Sequence, residues 1–233
     1  HVRAVHLLNK AGRSRLSAGW FVDGSGDADL VRAAGGEVLH GGPGGEFQPV
    51  SMMFRMAGVE NGALLRFLRE HPEHFALGES DAIRQGRTDA QLAAATQEQG
   101  HPTVFLKGDG PLLAQAIAGG HMYPTALIMV QPTAPARGEV CLNSTRVGGV
   151  DGTDTGRLSA SLPTLSDQVM QCVAFMRQSV PGFGHAHFSG MSHRVGVRET
   201  RRIVGREALS EADVLAERKR EDGIAKGSHH VDI

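Results

Sequence analysis

Cysteine is nearly missing from this 233-residue chain. Cys141 and Cys172 are the only two, and no Cys-x-x-Cys occurs. Two thiols so far apart fit a reduced, cytoplasmic compartment, and they cannot supply the ligands of an iron–sulfur cluster. Long apolar runs are missing too. The longest candidate, residues 126–130, is a buried strand at most, so no membrane span or membrane partner is expected. No leader-like N-terminal segment is visible. Excess charge is lacking: 24 basic against 25 acidic residues leave a formal charge of -1, with no general attraction to nucleic acid. Several local enzyme signatures are absent. Without GxGxxG there is no pyrophosphate fingerprint. Without GxSxG, GxxxxGK[ST] or HExxH, a serine hydrolase, a P-loop enzyme and a zincin are unsupported. Aromatic residues are scarce at 5%, whereas glycine is abundant at 31 residues, a balance that reads as many tight turns rather than disorder.

The length suits one large domain or two modest ones. Residues 2–8 and 14–22 are extended runs around Lys10-Ala11-Gly12-Arg13, a hairpin by pattern. The second run ends in an acidic glycine turn, residues 23–29, and residues 29–34 read as a short helix closed by Gly35-Gly36. Residues 41–45 are a glycine-rich loop. Residues 48–56 resume as a strand crossing into a second domain. Leu64, Phe67 and Leu68 share one helical face. Residues 71–110 are irregular apart from a helix over 89–98, and residues 111–118 are helical behind Pro111. Residues 125–130 and 139–147 read as antiparallel strands. A helix over 161–180 carries Val169, Cys172, Val173, Met176 and Val180 as a core stripe, stopped by Pro181-Gly182. Residues 186–197 are extended. Ser210 with Asp213 opens a last helix running to Arg218 or beyond. The chain begins at His1 in a strand-like run and ends on Val231-Asp232-Ile233, also strand-like. The middle of a longer protein is the expectation.

The stretch around which the chemistry is organised is Gly196-Val197-Arg198-Glu199-Thr200-Arg201-Arg202-Ile203-Val204-Gly205. Val195, Val197, Ile203 and Val204 should tie the backbone into a core and hold guanidinium groups at its edge. Such forks fit a carboxylate or phosphate. An ion-pair network through Glu199 is the structural alternative. In the turn Gly24-Ser25-Gly26-Asp27, the third glycine of a dinucleotide motif is absent, and Asp27 and Asp29 stand where a pyrophosphate would need donors. An ordinary left-handed turn with an acidic cap remains open there. Asn143-Ser144-Thr145-Arg146 ends a strand, with Asn143 and Thr145 facing one way and Ser144 and Arg146 the other, as at a cleft rim or on a plain surface strand. Among twelve histidines, His185-x-His187 and His229-His230-x-Asp232 match no zinc spacing, and no metal is expected. His193, just before the arginine stretch, is the candidate proton carrier.

Four blocks in order resemble the FAD-dependent oxidoreductase family that includes flavin domains similar to the heterodisulfide reductase A subunit. Phe21-Val22-Asp23-Gly24-Ser25-Gly26-Asp27-Ala28-Asp29-Leu30 resembles its "IDATGDGDL" segment, and residues 48–55 its next block. Asn143-Ser144-Thr145-Arg146-Val147 with Gly149-Val150-Asp151-Gly152-Thr153-Asp154 resembles "NxTRV…GVDGTD". Residues 196–205 resemble "GVRETRRIxG", with Leu209-Ser210-Glu211-Ala212-Asp213-Val214 as the following "LTEEDV" step.

The resemblance implies an α/β protein: part of a Rossmann-like FAD domain, followed by an α+β, mixed-sheet covering domain. Residues 1–45 would belong to the FAD domain, 46–207 to the covering domain, and 208–233 to a helix leading back. It implies FAD as cofactor, with Gly24, Ser25, Gly26 and Asp27 facing it. Some relatives carry an iron–sulfur cluster, for which this chain has no ligands. Arg198, Arg201 and His193 would be catalytic. Asn143, Arg146 and Arg198 would bind a small, anionic organic substrate that gives a hydride to flavin. Gly24, Ser25 and Ala28 depart from the family's Ala, Thr and Gly. With no diphosphate cradle in the chain, weak or no FAD binding by it alone is expected. A homo-oligomer is compatible with this picture. The alternatives are a non-enzymatic binding or dimerisation module derived from such an enzyme, and a metal hydrolase built on the histidines.

Overall fold

The computed structural model describes residues 1–78, 84–100 and 103–227. Two compact units emerge: His1–His40 with Arg201–Ile233, and Gly41–Thr200. The first unit opens with strands β1 (Val5–Asn9) and β2 (Gly12–Leu16), followed by helix α1 (Asp29–Ala33) and strand β3 (Val38–His40). The second holds β4 (Phe54–Ala57), α2 (Asn61–Glu70), a 3-10 turn (Pro72–His74), α3 (Asp89–Gln99), β5 (Val104–Lys107) and α4 (Pro111–Ala118). It continues with β6 (Leu127–Ala134), β7 (Glu139–Asn143), α5 (Thr155–Ser179) and β8 (His187–Met191). The chain then returns to the first unit through β9 (Arg201–Ile203) and α6 (Glu211–Leu215).

The second unit is built on a five-stranded sheet ordered β5-β6-β7-β4-β8. Its strand pairs are antiparallel. Alternation decides which face is buried. Phe54 and Met56, Val104 and Leu106, Ile128 and Val130, and Val140 and Leu142 point to the core, and the residues between them do not. Leu165, Val169, Cys172, Val173 and Met176 of α5 and Leu64, Leu65 and Leu68 of α2 belong to the same buried cluster. Pro132 in β6 lacks a backbone donor, and the β6–β7 register slips there, between Pro132 and Ala134.

The first unit is different. It has two two-stranded ladders, β1 with β2 and β3 with β9. Ala28 is its one buried apolar residue among those described, while Leu8, Trp20, Val22, Leu209 and Leu215 face solvent. The fold is therefore mixed α/β, and the ladders among the described residues are antiparallel.

Several local expectations are corrected. The strand expected over 14–22 stops at Leu16, opposite Val5, where its partner strand begins. The helix expected from 161 begins at Thr155, because the Asp154 carboxylate accepts the amides of Gly156 and Arg157 at 2.9 and 3.0 Å and caps it earlier. Pro163 lies inside it without ending it. The last helix does open on Ser210, whose hydroxyl accepts the Asp213 amide while Asp213 accepts the Ser210 amide. It ends at Leu215, not at Arg218. Strand β5 and the 3-10 turn fall in the stretch read as irregular; residues 79–83 and 101–102 of that stretch lie outside the described residues, as do His229, His230 and the C-terminal strand-like run.

Candidate functional site

The acidic turn of the first unit is organised by Asp23. Its Oδ1 accepts the Ser25 amide at 3.0 Å and the Ser25 hydroxyl at 2.7 Å, and its Oδ2 accepts the Val31 amide at 3.0 Å. The Ser25 hydroxyl in turn accepts the Asp29 amide at 3.0 Å. These donors favour the charged form, so the Asp23 carboxyl falls to about 2, chiefly through the Ser25 hydroxyl and the Val31 amide. One expected arginine meets this turn: Arg201 Nη2 lies 3.1 Å from Asp29 Oδ1, and only 17% of its side chain is exposed. The β3–β9 register, with His40 opposite Arg201, carries it there.

The other candidate residues lie in the second unit. Beyond β4 and β7 the sheet continues as isolated bridges, Val50 with Val147 and Ser51 with Gly196, both antiparallel. The segment 50–52 is thus flanked on one edge by 145–147 and on the other by the start of the arginine stretch. In this register Arg146 stands opposite Ser51, and Ser51 opposite Gly196, two residues before Arg198. A Cβ on Gly196 would stand 3.1 Å from the Ser51 carbonyl oxygen, so the close approach favours glycine. Arg146, Arg198 and His193 are exposed, and Asn143 is half-buried.

Two clamps hold this end of the sheet. Thr145, 2% exposed, accepts the Met52 amide at 2.7 Å and donates to the Met52 carbonyl at 2.9 Å through one hydroxyl. From α5, the Gln168 amide accepts the Arg146 N–H at 2.8 Å and donates to the Arg146 carbonyl at 2.9 Å. Behind them the Ser144 hydroxyl meets the Tyr123 hydroxyl at 2.5 Å and the Cys172 sulfur at 3.6 Å. Burial drives the Tyr123 hydroxyl far above its ordinary value and pushes the Cys172 thiol up to about 12, so neither ionises near neutrality.

The expected alternation through residues 143–146 is corrected. Ser144 and Thr145 are both buried, because β7 has ended at Asn143 and each hydroxyl finds its own partner inside. The expectation that Ile203 and Val204 anchor the arginine stretch in a core is also corrected. They are 57% and 46% exposed, since β9 belongs to a two-stranded ladder outside the buried cluster. Val195 and Val197 do pack against that cluster. The stretch is divided: Arg198 belongs to the second unit and Arg201 to the first. Sequence reasoning missed Gln168, Tyr123 and the grouping of His71, Glu73 and His74, whose ligand-type atoms lie within 4.8 Å of one another. A glutamine on a core helix carries no signal for its partner 22 residues away.

Compared with protein families, residues 1–233 match the model described as FAD dependent oxidoreductase. The chain belongs to this FAD-dependent oxidoreductase family. Searches of curated proteins and of solved structures each returned no match. Membership makes it an oxidoreductase whose family cofactor is FAD. No helix among the described residues is long and apolar enough to cross a membrane.

The turn of this FAD-dependent oxidoreductase does not fit a diphosphate. The amides of Ser25, Asp29 and Val31 are already taken by Asp23 and Ser25, and the carboxylates of Asp23, Asp27 and Asp29 would repel phosphate. A Cβ built on Gly24 or Gly26 would meet nothing within 4 Å, which leaves bare backbone open to approach. Ala28, where the family segment has glycine, sits at φ 54°, ψ 35°. That left-handed conformation costs an L-residue about 1–2 kcal/mol.

Proposed function

We propose that this chain forms part of an FAD-dependent dehydrogenase or oxidase that takes hydride from a small, anionic organic substrate. The single observation carrying the reading is the pair of bridges at Val50 and Ser51, which flanks one strand segment with the backbones of Arg146 and of the Arg198 stretch. Two arginines carried on the strands that flank one segment suit recognition of a carboxylate-bearing molecule.

In this reading Arg198 and Arg146 bind the substrate anion, and Asn143 offers its amide at the end of β7. His193 carries the proton released when the substrate is oxidised. Arg201 stays with Asp29 and holds α1 beneath the acidic turn, while Gly24, Ser25, Gly26 and Asp27 line the hydroxyl-bearing part of the cofactor. Bound flavin supplies the hydride acceptor. The first unit then belongs to a Rossmann-like FAD domain and the second covers the substrate.

A panel of small mono- and dicarboxylates, followed by thermal shift, tests the reading. Ligand that binds only the folded protein raises its melting temperature by mass action. The wild type should gain, Arg198→Ala should lose the gain, and Arg198→Lys should keep only part of it, because lysine lacks the planar fork. Equal shifts in wild type and Arg198→Ala would remove Arg198 from the site.

A further inference from the structure

We infer that His74 is a pH-released cap on helix α4, tying the 3-10 turn Pro72–His74 to the helix start only while its imidazole is neutral. The beginning of α4 has no cap of its own. Gly110 at the N-cap has no side chain, and Pro111 at the first position has no N–H. The next amide, that of Leu112, donates instead to His74 Nδ1 at 3.2 Å. A capping serine or aspartate at Gly110 would be crowded, its Cβ standing 3.0 Å from the Lys107 carbonyl oxygen and 3.1 Å from the His74 carbonyl oxygen. The cap therefore comes from a residue 38 positions earlier in the chain.

The imidazole is held in place on several sides. Its side chain is 15% exposed. It stacks on Phe67 of α2 at 5.3 Å between ring centroids. The next residue, Phe75, bridges to Leu106 at the sheet edge. The charged and titratable groups around it are few. On its own turn are Glu73, 3.8 Å from Nε2, and His71, with ring centroids 5.8 Å apart. From β5 comes Lys107. From α4 it meets the Leu112 amide.

Because Nδ1 accepts, the neutral ring carries its proton on Nε2. That proton also argues against a metal at His71, Glu73 and His74. A metal on Nε2 would need the lone pair there and would leave Nδ1–H facing Leu112 N–H. Protonating the ring produces the same clash of two donors and adds a positive charge at a helix N-terminus. Burial lowers the His74 value in the folded state, with His71 and Lys107 acting the same way and Glu73 opposing. The unfolded imidazole takes its proton near the ordinary value of 6.5, and the folded one only lower. In between, the unfolded state binds more protons. The contribution of the cap is thus complete above that value and is lost as pH falls below it.

His74→Asn places an oxygen close to the Nδ1 position that can accept from Leu112 and cannot titrate. His74→Ala removes the cap. Melting is followed by circular dichroism at 222 nm from pH 8 to pH 5, and the Leu112 amide by NMR in the wild type. Between pH 7 and pH 5 the wild type should lose roughly 2–4 °C more than His74→Asn. His74→Ala should lie below both at pH 8, with a profile parallel to that of His74→Asn. The Leu112 amide should shift with the midpoint of His74 itself. Parallel profiles for wild type and His74→Asn, or a Leu112 amide indifferent to the titration, would overturn the inference. So would zinc ions raising the melting temperature of the wild type but not of His74→Asn. If His74→Asn does not fold, the amide titration of the wild type decides alone.

Discussion

Replacing Thr145 with valine puts the architecture of the substrate-side strands to a direct test. The exchange keeps the side chain's shape and removes one hydroxyl, but that hydroxyl serves two groups. It accepts the Met52 amide and donates to the Met52 carbonyl, at 2.7 and 2.9 Å, in a position 2% exposed. Water cannot readily replace it there. Each buried group left unpaired costs about 1–3 kcal/mol, so the two together should cost about 2–6 kcal/mol. For a unit of this size that lowers the melting temperature by roughly 4–24 °C. Thr145→Ser is the matched control. It keeps the hydroxyl and loses one methyl, at about 1 kcal/mol. Urea titration followed at 222 nm is the suitable assay, since the long helix α5 dominates that signal. Tryptophan fluorescence is not, because Trp20 belongs to the other unit and is 92% exposed. The reasoning is refuted if Thr145→Val unfolds within about 0.5 kcal/mol of the wild type, or if Thr145→Ser is equally damaging.

Two further outcomes follow from the titrating groups. Asp23 is depressed from 3.8 to about 2 in the folded state. Its contribution is therefore complete above 3.8 and disappears as pH falls toward 2; carboxyl-carbon NMR should find its midpoint well below those of exposed aspartates, and Ser25→Ala should raise it. Cys172 is buried and its thiol is pushed up to about 12, so it should resist alkylation at pH 8 until the second unit unfolds. Cys141 is half-buried, with its value raised by burial to a lesser degree, and should react first under mass-spectrometric timing.

The parts of the fold that could be read in advance are those whose cause is local. Ser210 and Asp213 satisfy each other's amides within one turn. The stripe from Val169 to Met176 declares its buried face through spacing alone. Glycine at the turn near residue 24 announces open backbone. Elsewhere the cause lies far along the chain. Thr145 reads as a rim residue until Met52 is brought beside it, 93 positions earlier. His74 reads as a surface histidine until Gly110 and Pro111 leave a helix start without a donor's partner. The start of α5 lies six residues before the expected 161, where the Asp154 carboxylate caps it. The arginine stretch reads as one feature because its charges are nearly contiguous in sequence. The backbone divides it, with β9 pairing to β3 and Gly196 pairing to Ser51.

The near-absence of buried apolar residues among the described residues of the first unit has a thermodynamic consequence. Sharp, all-or-none melting comes from apolar surface leaving water together, and the accompanying heat-capacity step scales with that surface. The unit made of residues 1–40 and the returning C-terminal stretch contributes almost none of it, so two short ladders and a few side-chain bonds must keep it in shape. Such a unit loosens gradually, by fraying from its strand ends. Calorimetry of this chain would register the cooperative peak of residues 41–200 on a sloping baseline, and the slope would be the signature of the first unit.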